Sequence, residues 1–153
     1  MTRVSPVVVG LDGSTGSIRA LQFAVGEARL RCCGVEAVLA WHMPAMLDAA
    51  GVPDDFDPQG WAQATLDAAL AAVPCDGVTV DGHAAQGHPA SVLLDAAKNA
   101  ALLIVGSRGH GGLVGALLGS VSQHCVAHAT CPVVVVPAHQ IDSTDETSRP
   151  VPC

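Results

Sequence analysis

Five short apolar runs, separated by longer amphipathic stretches, most constrain how this chain can fold. The runs are rich in Val, Ile and Leu, and each has Gly or Pro close by, a pattern typical of β-strands. They cover residues 4–10, 35–41, 78–83, 101–105 and 133–136. Because helical segments alternate with these runs, the pattern predicts an α/β three-layer sandwich with a five-stranded parallel sheet that is covered on both faces.

The stretches between the runs carry helix signals. Ser14 or Ser17 can cap a first helix that reaches about Cys33, and Gly34 then ends it as the residue after the cap. Proline at the first helical position marks the start of another helix at Pro89. Further helices are predicted over residues 59–73 and 119–129, and a long loop over residues 43–60.

Length and charge limit the domain organisation and the partners. The 153 residues correspond to one domain, which we place at residues 1–138, and the polar residues 139–153 are expected to form a disordered tail. The net charge of −7 argues against nucleic acid and anionic membranes as partners. The sequence has no long apolar run, no signal-peptide pattern and no C-x-x-C pair, so we expect a cytoplasmic protein with reduced thiols.

A glycine-rich segment before the last predicted helix is the main functional feature. Residues 106–120 read Gly-Ser-Arg-Gly-His-Gly-Gly-Leu-Val-Gly-Ala-Leu-Leu-Gly-Ser. Glycine lets backbone N–H groups approach a ligand closely, and a helix N-terminus offers unpaired N–H donors and the positive end of a dipole. At the carboxyl end of a parallel sheet, such a loop indicates a phosphate or anion cradle. The alternative is a flexible surface loop that binds nothing.

Two common phosphate-binding motifs do not fit this loop. A Walker A loop requires a lysine directly after its last glycine, and the only lysine of the chain is Lys98. A dinucleotide-binding fingerprint should follow the first strand, where residues 10–14 read Gly-Leu-Asp-Gly-Ser and do not match.

The spacing G-x₂-G-x₉-G-S that begins at Gly106 resembles the nucleotide-binding signature of the universal stress protein family at every fixed position. Other segments resemble that family in the same order, namely residues 7–14, 87–90, 103–109, 119–122 and 131–133. The resemblance covers nearly all of residues 1–138. It implies a Rossmann-like fold of the adenine nucleotide alpha hydrolase-like kind, with strand order 3-2-1-4-5.

The resemblance also implies a function: an ATP-binding, nucleotide-dependent regulator of the stress response that acts as a homodimer, with Mg²⁺ carried by the phosphates. Asp12 would bind the ribose or adenine side, and Ala40 would offer backbone atoms to the adenine edge. The residues that the resemblance assigns to the nucleotide are Gly10, Leu11, Asp12, Ala40, Gly106, Ser107, Arg108, Gly109, His110, Gly111, Gly112, Gly119, Ser120, Val121 and Ser122.

Several alternatives stay open. Arg108 could neutralise phosphate charge or face water, and AMP, ADP or cyclic AMP could replace ATP. His124 and His128 have a spacing that can bind zinc on a helix, but no third ligand is evident, so no protein metal site is expected. No catalytic residue can be assigned, and we do not expect an enzyme. A slow ATPase or a phospho- or nucleotidyl-transferase in the same pocket is the first alternative function, and a nucleotide-free dimeric interaction protein is the second.

The last predicted strand bears on assembly. Val133–Val136 is apolar on both faces and would lie at an edge of the sheet in the order 3-2-1-4-5. An open apolar edge favours pairing with another chain, so a two-fold dimer through this strand is expected. The alternative is that the C-terminal tail covers the edge.

Overall fold

All five strands run parallel in one sheet. The computed structural model describes residues 4–43, 51, 53–109 and 118–138. In chain order the elements are β1 (Val7–Leu11), α1 (Thr15–Arg31), β2 (Val35–Trp41), α2 (Pro58–Ala72), β3 (Val80–Gln86), α3 (Pro89–Ala96) with a 3₁₀ turn (Ala97–Asn99), β4 (Leu102–Gly106), α4 (Ser120–His128) and β5 (Val133–Val136). The sheet order is β3-β2-β1-β4-β5, so the predicted fold class and strand order are confirmed.

The core has two layers because β1 is buried on both faces. Val7 and Val9 point to one face, where α1 and α2 cover them with small and branched side chains such as Leu21 and Leu66. Val8 points to the other face, which α3 and α4 cover and where Leu93 packs. Burial on both faces explains why the strand sequence is apolar at consecutive positions.

Two predicted boundaries were wrong. The third strand was expected at residues 78–83 and lies at Val80–Gln86, because its limits follow the ladder in which Val35 pairs with Val80 and Trp41 with Gln86. The first strand begins at Val7 rather than at residue 4. In both cases pairing with the neighbouring strand, rather than residue type, decides where the strand begins.

The ends of α1 confirm one predicted cap and correct the other. Ser14 is the N-cap, and its hydroxyl accepts a hydrogen bond from the Ser17 N–H at 3.2 Å. The left-handed residue at the C-terminus is Cys32, with φ 53°, and not Gly34. The Cys33 N–H then bonds the Ala28 carbonyl at 3.0 Å, so the helix ends before the glycine is reached.

Further expectations concern loops, thiols and membranes. Residues 44–50 and 52 of the predicted 43–60 loop and the whole 139–153 tail lie outside the described residues. The end of the predicted loop was wrong, because α2 begins at Pro58. The five described cysteines are free thiols: Cys32, Cys33, Cys75, Cys125 and Cys131. In the described part of the chain, no helix is long and apolar enough to cross a membrane.

Two leucines of α1 test this packing. Leu21 is 1% exposed in the core, and Leu30 is 80% exposed on the same helix. We expect Leu21→Ala to lower the free energy of unfolding by about 2–5 kcal/mol, because it removes buried methyl groups and leaves a cavity. The matched change Leu30→Ala should alter it by less than about 0.5 kcal/mol. Urea unfolding followed by circular dichroism measures both, and equal effects would contradict the assigned core.

Candidate functional site

A cavity of about 550 Å³ opens at the carboxyl ends of β1, β2 and β4. The start of α4 closes one side, and Pro89 and Leu93 of α3 close another. Of the residues predicted from the sequence, the structure brings these to the cavity wall: Gly10, Leu11, Asp12, Ala40, Gly106, Arg108, Gly109, Gly119, Ser120, Val121 and Ser122. His110, Gly111 and Gly112 lie outside the described residues.

Sequence reasoning missed several residues of the wall. They are Ser17, Val38, Pro89, Leu93, Val105, Leu118 and Gln123. Val38 and Val105 could have been found from strand alternation, because they share the sheet face that α3 and α4 cover. Leu93 could not have been found from the sequence, because its position depends on how α3 packs over Gly10. A Cβ on Gly10 would lie 2.8 Å from Leu93 Cδ1, so this glycine makes room for the apolar side of the cavity.

Ser107 does not line the cavity but joins the elements around it. Its N–H donates to the Val136 carbonyl at 2.8 Å. Its own carbonyl accepts from the Gly119 N–H at 2.6 Å and from the Ser122 hydroxyl at 3.1 Å. Its hydroxyl accepts from the Ala138 N–H at 3.1 Å. The residue is 9% exposed, and these bonds fix the end of β4 against β5 and the start of α4.

The N-terminus of α4 presents unpaired donors to the cavity. Gly119 is the N-cap, and no side chain caps the helix there. In the described residues, the first N–H of the helix that has a backbone partner is that of Gln123, which donates to the Gly119 carbonyl. Within the described residues, the N–H groups of Ser120, Val121 and Ser122 have no acceptor. Three unpaired N–H groups and the positive end of the helix dipole make this edge of the cavity suitable for an anion.

The Asp12 carboxylate lies at the cavity wall beside Gly109. Its Oδ1 accepts from the Ser14 N–H at 2.9 Å and from the Ser14 hydroxyl. Its Oδ2 faces Gly109 so closely that a Cβ on that glycine would overlap the oxygen. A larger residue in place of the second glycine of the signature would therefore have to displace the Asp12 carboxylate.

Two side chains of α4 are potential nucleophiles, Ser122 at the cavity wall and Cys125 in the core behind it. Ser122 is buried, and its hydroxyl already donates to the Ser107 and Gly119 carbonyls. Burial raises the pKa of the Cys125 thiol on α4, which keeps it protonated and a poor nucleophile at neutral pH. No group of three or more His, Cys, Asp or Glu side chains among the described residues could hold a metal ion.

Comparison with known proteins decides the family. The profile of the Universal stress protein family matches residues 4–137. The chain belongs to the universal stress protein family. A universal stress protein of Mycolicibacterium smegmatis is 37% identical over 138 residues, which are 86% of this chain and 45% of that protein. The chain therefore spans about half the length of the curated relatives it matches.

Solved members of the family have the same fold. The structure of the universal stress protein from Archaeoglobus fulgidus in complex with dAMP is 26% identical, with a TM-score of 0.67 over 88% of this chain and 99% of that one. A universal stress protein in complex with cAMP is 26% identical, with a TM-score of 0.60 over 90% of this chain and 100% of that one.

The contact between Gly109 and Asp12 can be tested by a double-mutant cycle. Gly109→Ala should displace the Asp12 carboxylate and weaken its bonds to Ser14, lowering the free energy of unfolding by about 1 kcal/mol. In an Asp12→Ala background, Gly109→Ala should lower the free energy of unfolding much less, because the Asp12 carboxylate that the new Cβ would displace is absent. Chemical unfolding of the four proteins gives the coupling energy, and strict additivity would contradict the contact. Gly26→Ala, which has open space around its Cβ, is the control.

Proposed function

We propose that this protein binds ATP in the cavity and acts as a nucleotide-dependent regulator of the stress response. The observation that carries the proposal is a row of N–H groups at Ser120, Val121 and Ser122. These groups have no acceptor in the described part of the chain, and they edge the cavity next to the glycine signature. The family membership and the adenine nucleotides named for the two solved relatives support it. Mg²⁺ would come with the phosphates.

The cavity wall divides into parts that fit the parts of a nucleotide. One side of the cavity is apolar and suits the flat adenine base of a nucleotide. It is formed by Val38, Ala40 and Leu93. Asp12 offers carboxylate oxygen, which suits ribose hydroxyls as donors. The start of α4 suits the phosphates, since it combines N–H donors with the positive end of a dipole.

We propose a ligand role for the nucleotide rather than catalysis. The Ser122 hydroxyl already donates within the protein, and the Cys125 thiol is buried, so neither is available as a nucleophile. A bound nucleotide would instead favour one conformation or assembly over another and so change what the cytoplasmic protein contacts. Turnover of ATP faster than on the order of 1 s⁻¹ would count against this role.

Substitutions at Ser120 separate the backbone donor from the hydroxyl. Proline is tolerated at the first helical position, and Gly119 has the extended backbone (ψ 169°) that a residue before proline adopts. Ser120→Pro deletes one N–H and should weaken ATP binding by about 10- to 100-fold, because a bond to a charged phosphate is lost. Ser120→Ala keeps that N–H and should weaken binding less. Isothermal titration calorimetry measures both.

The wild-type protein provides the first check. Denaturation of the purified protein should release adenine nucleotide, which ion-exchange chromatography of the supernatant detects. If the purified protein is empty, calorimetry should detect ATP binding. A wild-type protein that carries no nucleotide and binds none at millimolar ATP would refute the proposed function. Equal affinity in wild type and Ser120→Pro would place the phosphates elsewhere.

We further propose that the protein forms a homodimer through β5. The N–H groups of Leu103 and Ser107 bond the carbonyls of Pro132 and Val136, so alternate β5 residues face β4. By the same alternation, the N–H and carbonyl groups of Val133 and Val135 point to the open edge of the sheet. A second copy in antiparallel pairing would satisfy these groups and cover the apolar strand.

Val135→Pro tests the dimer, because proline removes an N–H that points away from β4 and is tolerated on an edge strand. We expect the wild type to be a dimer and Val135→Pro a monomer of unchanged circular dichroism, as measured by light scattering after size exclusion. Val135→Ala keeps the N–H and should stay dimeric. A dimer that persists in Val135→Pro would show that another surface pairs.

A further inference from the structure

The sheet has a second edge, β3, with backbone donors and acceptors of its own. In the described part of the chain, β3 is the last strand on the side opposite β5. The Val35 N–H donates to the Thr79 carbonyl at 2.9 Å, and the Gly87 N–H donates to the Trp41 carbonyl at 2.8 Å, so the odd-numbered residues of this segment direct their backbone groups to β2. By alternation, the backbone groups of the even-numbered residues point to the open edge. These residues are Val80, Gly82, Ala84 and Gln86.

The side chains of β3 place titratable groups on the sheet face that α2 does not cover. A Cβ on Gly82 would lie 2.8 Å from Leu70 Cδ1 of α2, so the even-numbered positions face this helix. Asp81 and His83 therefore lie on the opposite face, where Glu36 of β2 is the register partner of Asp81. The His83 Nε2 atom lies 3.9 Å from Glu36 Oε1, and these two side chains are 56% and 33% exposed. One histidine thus shares this face with two carboxylates.

The charges around His83 oppose pairing of this edge while the histidine is neutral. A hollow of about 450 Å³ lies beside it, and the described wall residues of that hollow include three titratable side chains, those of Glu36, Asp81 and His83. Lys98, whose neighbour in the chain lines the hollow, pairs with Asp95 at 2.8 Å instead. A neutral histidine leaves the two carboxylates unbalanced, and charge of this kind on an edge strand discourages another chain from pairing with it.

We propose that β3 is an interface between copies of this chain, in which two β3 strands pair antiparallel about Gly82 once His83 is protonated. Gly82 would lie opposite Gly82 of the second copy, and their outward N–H and carbonyl groups would bond each other. In this register His83 of each copy lies opposite Asp81 of the other on the same face, so the edge is complementary to itself. Registers centred on Asp81 or on His83 would instead place like groups opposite each other. The inference goes beyond the proposed function, because it involves neither the nucleotide nor β5.

Protonation of the histidine decides whether charge favours this pairing. A histidine side chain gains its proton between about pH 8 and pH 5. With His83 neutral, the joined edges bring together the carboxylates of Asp81 and Glu36 from both copies, and these repel each other. With His83 charged, each copy places one cation opposite a carboxylate of the other. Self-association should therefore strengthen as the pH falls through the histidine range and weaken as it rises.

Sedimentation equilibrium of Val135→Pro measures pairing through β3 separately from pairing through β5. This variant is expected to be monomeric where histidine is neutral. Between about pH 8 and about pH 6, the Kd for a doubling of its mass should fall about 2- to 30-fold, the range that two exposed charge pairs across strands provide.

A matched pair of histidine variants shows which histidine is responsible. His83→Gln, introduced into Val135→Pro, should remove the pH dependence of the association. His128→Gln is the control, because it removes an exposed histidine from α4, and it should keep the response. The control is needed because acidification also reduces the net charge of −7 through all seven histidines.

Exchange of the two charged groups tests the register. Asp81→His alone would place histidine opposite histidine, and His83→Asp alone would place carboxylate opposite carboxylate, so each should weaken the association at the lower pH. The double change restores one group of each kind and should recover the association. Ala84→Pro removes an N–H that points to the open edge, and proline is tolerated on an edge strand. It should prevent the doubling of mass while the circular dichroism stays unchanged.

Several results would overturn the inference. An unchanged Kd at the two pH values, or equal loss of the response in His83→Gln and His128→Gln, would show that β3 does not pair with a second copy and stays open to a strand of another protein. Doubling that persists in Ala84→Pro would assign the pairing to another surface, and a double change that recovers nothing would exclude the register about Gly82. ATP binding is measured separately by calorimetry on the wild type, so failure of the proposed function is recognised independently.

Discussion

The hydrogen bonds of Ser107 are the interaction on which the geometry of the cavity depends. Its N–H, carbonyl and hydroxyl connect the end of β4 to Val136, Gly119, Ser122 and Ala138. Because these partners come from β5, from the α4 cap and from the residues after β5, one buried serine fixes three segments at once. The N-cap residue Gly119 has no side chain with which to cap α4, so its bond to the Ser107 carbonyl helps to hold the start of the helix at the cavity.

Glycines allow the elements to approach closely around this point. A Cβ on Gly106 would lie 3.3 Å from the carbonyl carbon of Gly16, so β4 and the start of α1 meet backbone to backbone. Gly10 makes room for Leu93, and Gly109 makes room for Asp12. The first two glycines of the signature, Gly106 and Gly109, therefore lie where neighbouring atoms occupy the space that a Cβ would need.

The cavity has an arrangement of charge that the fold alone does not require. In the described part of the chain, the N–H groups of Ser120, Val121 and Ser122 have no acceptor, and Arg108 belongs to the same wall. Such groups are typical of sites where local stability is given up for binding. The strands β1 and β4 are buried on both faces, and they provide a rigid sheet that can hold the groups of the cavity wall in place.

The sequence by itself determined the strands, their order through the family resemblance, and the position of the glycine loop. Apolar runs and turn residues are local patterns, and a short signature needs only fixed spacing. The tertiary structure decided what the described residues around the loop do: Ser107 and Ser122 bond within the protein, whereas the Ser120 N–H has no acceptor in the described part of the chain. These outcomes, like the limits of β3, depend on which distant segments pack together, and spacing along the chain does not encode those contacts.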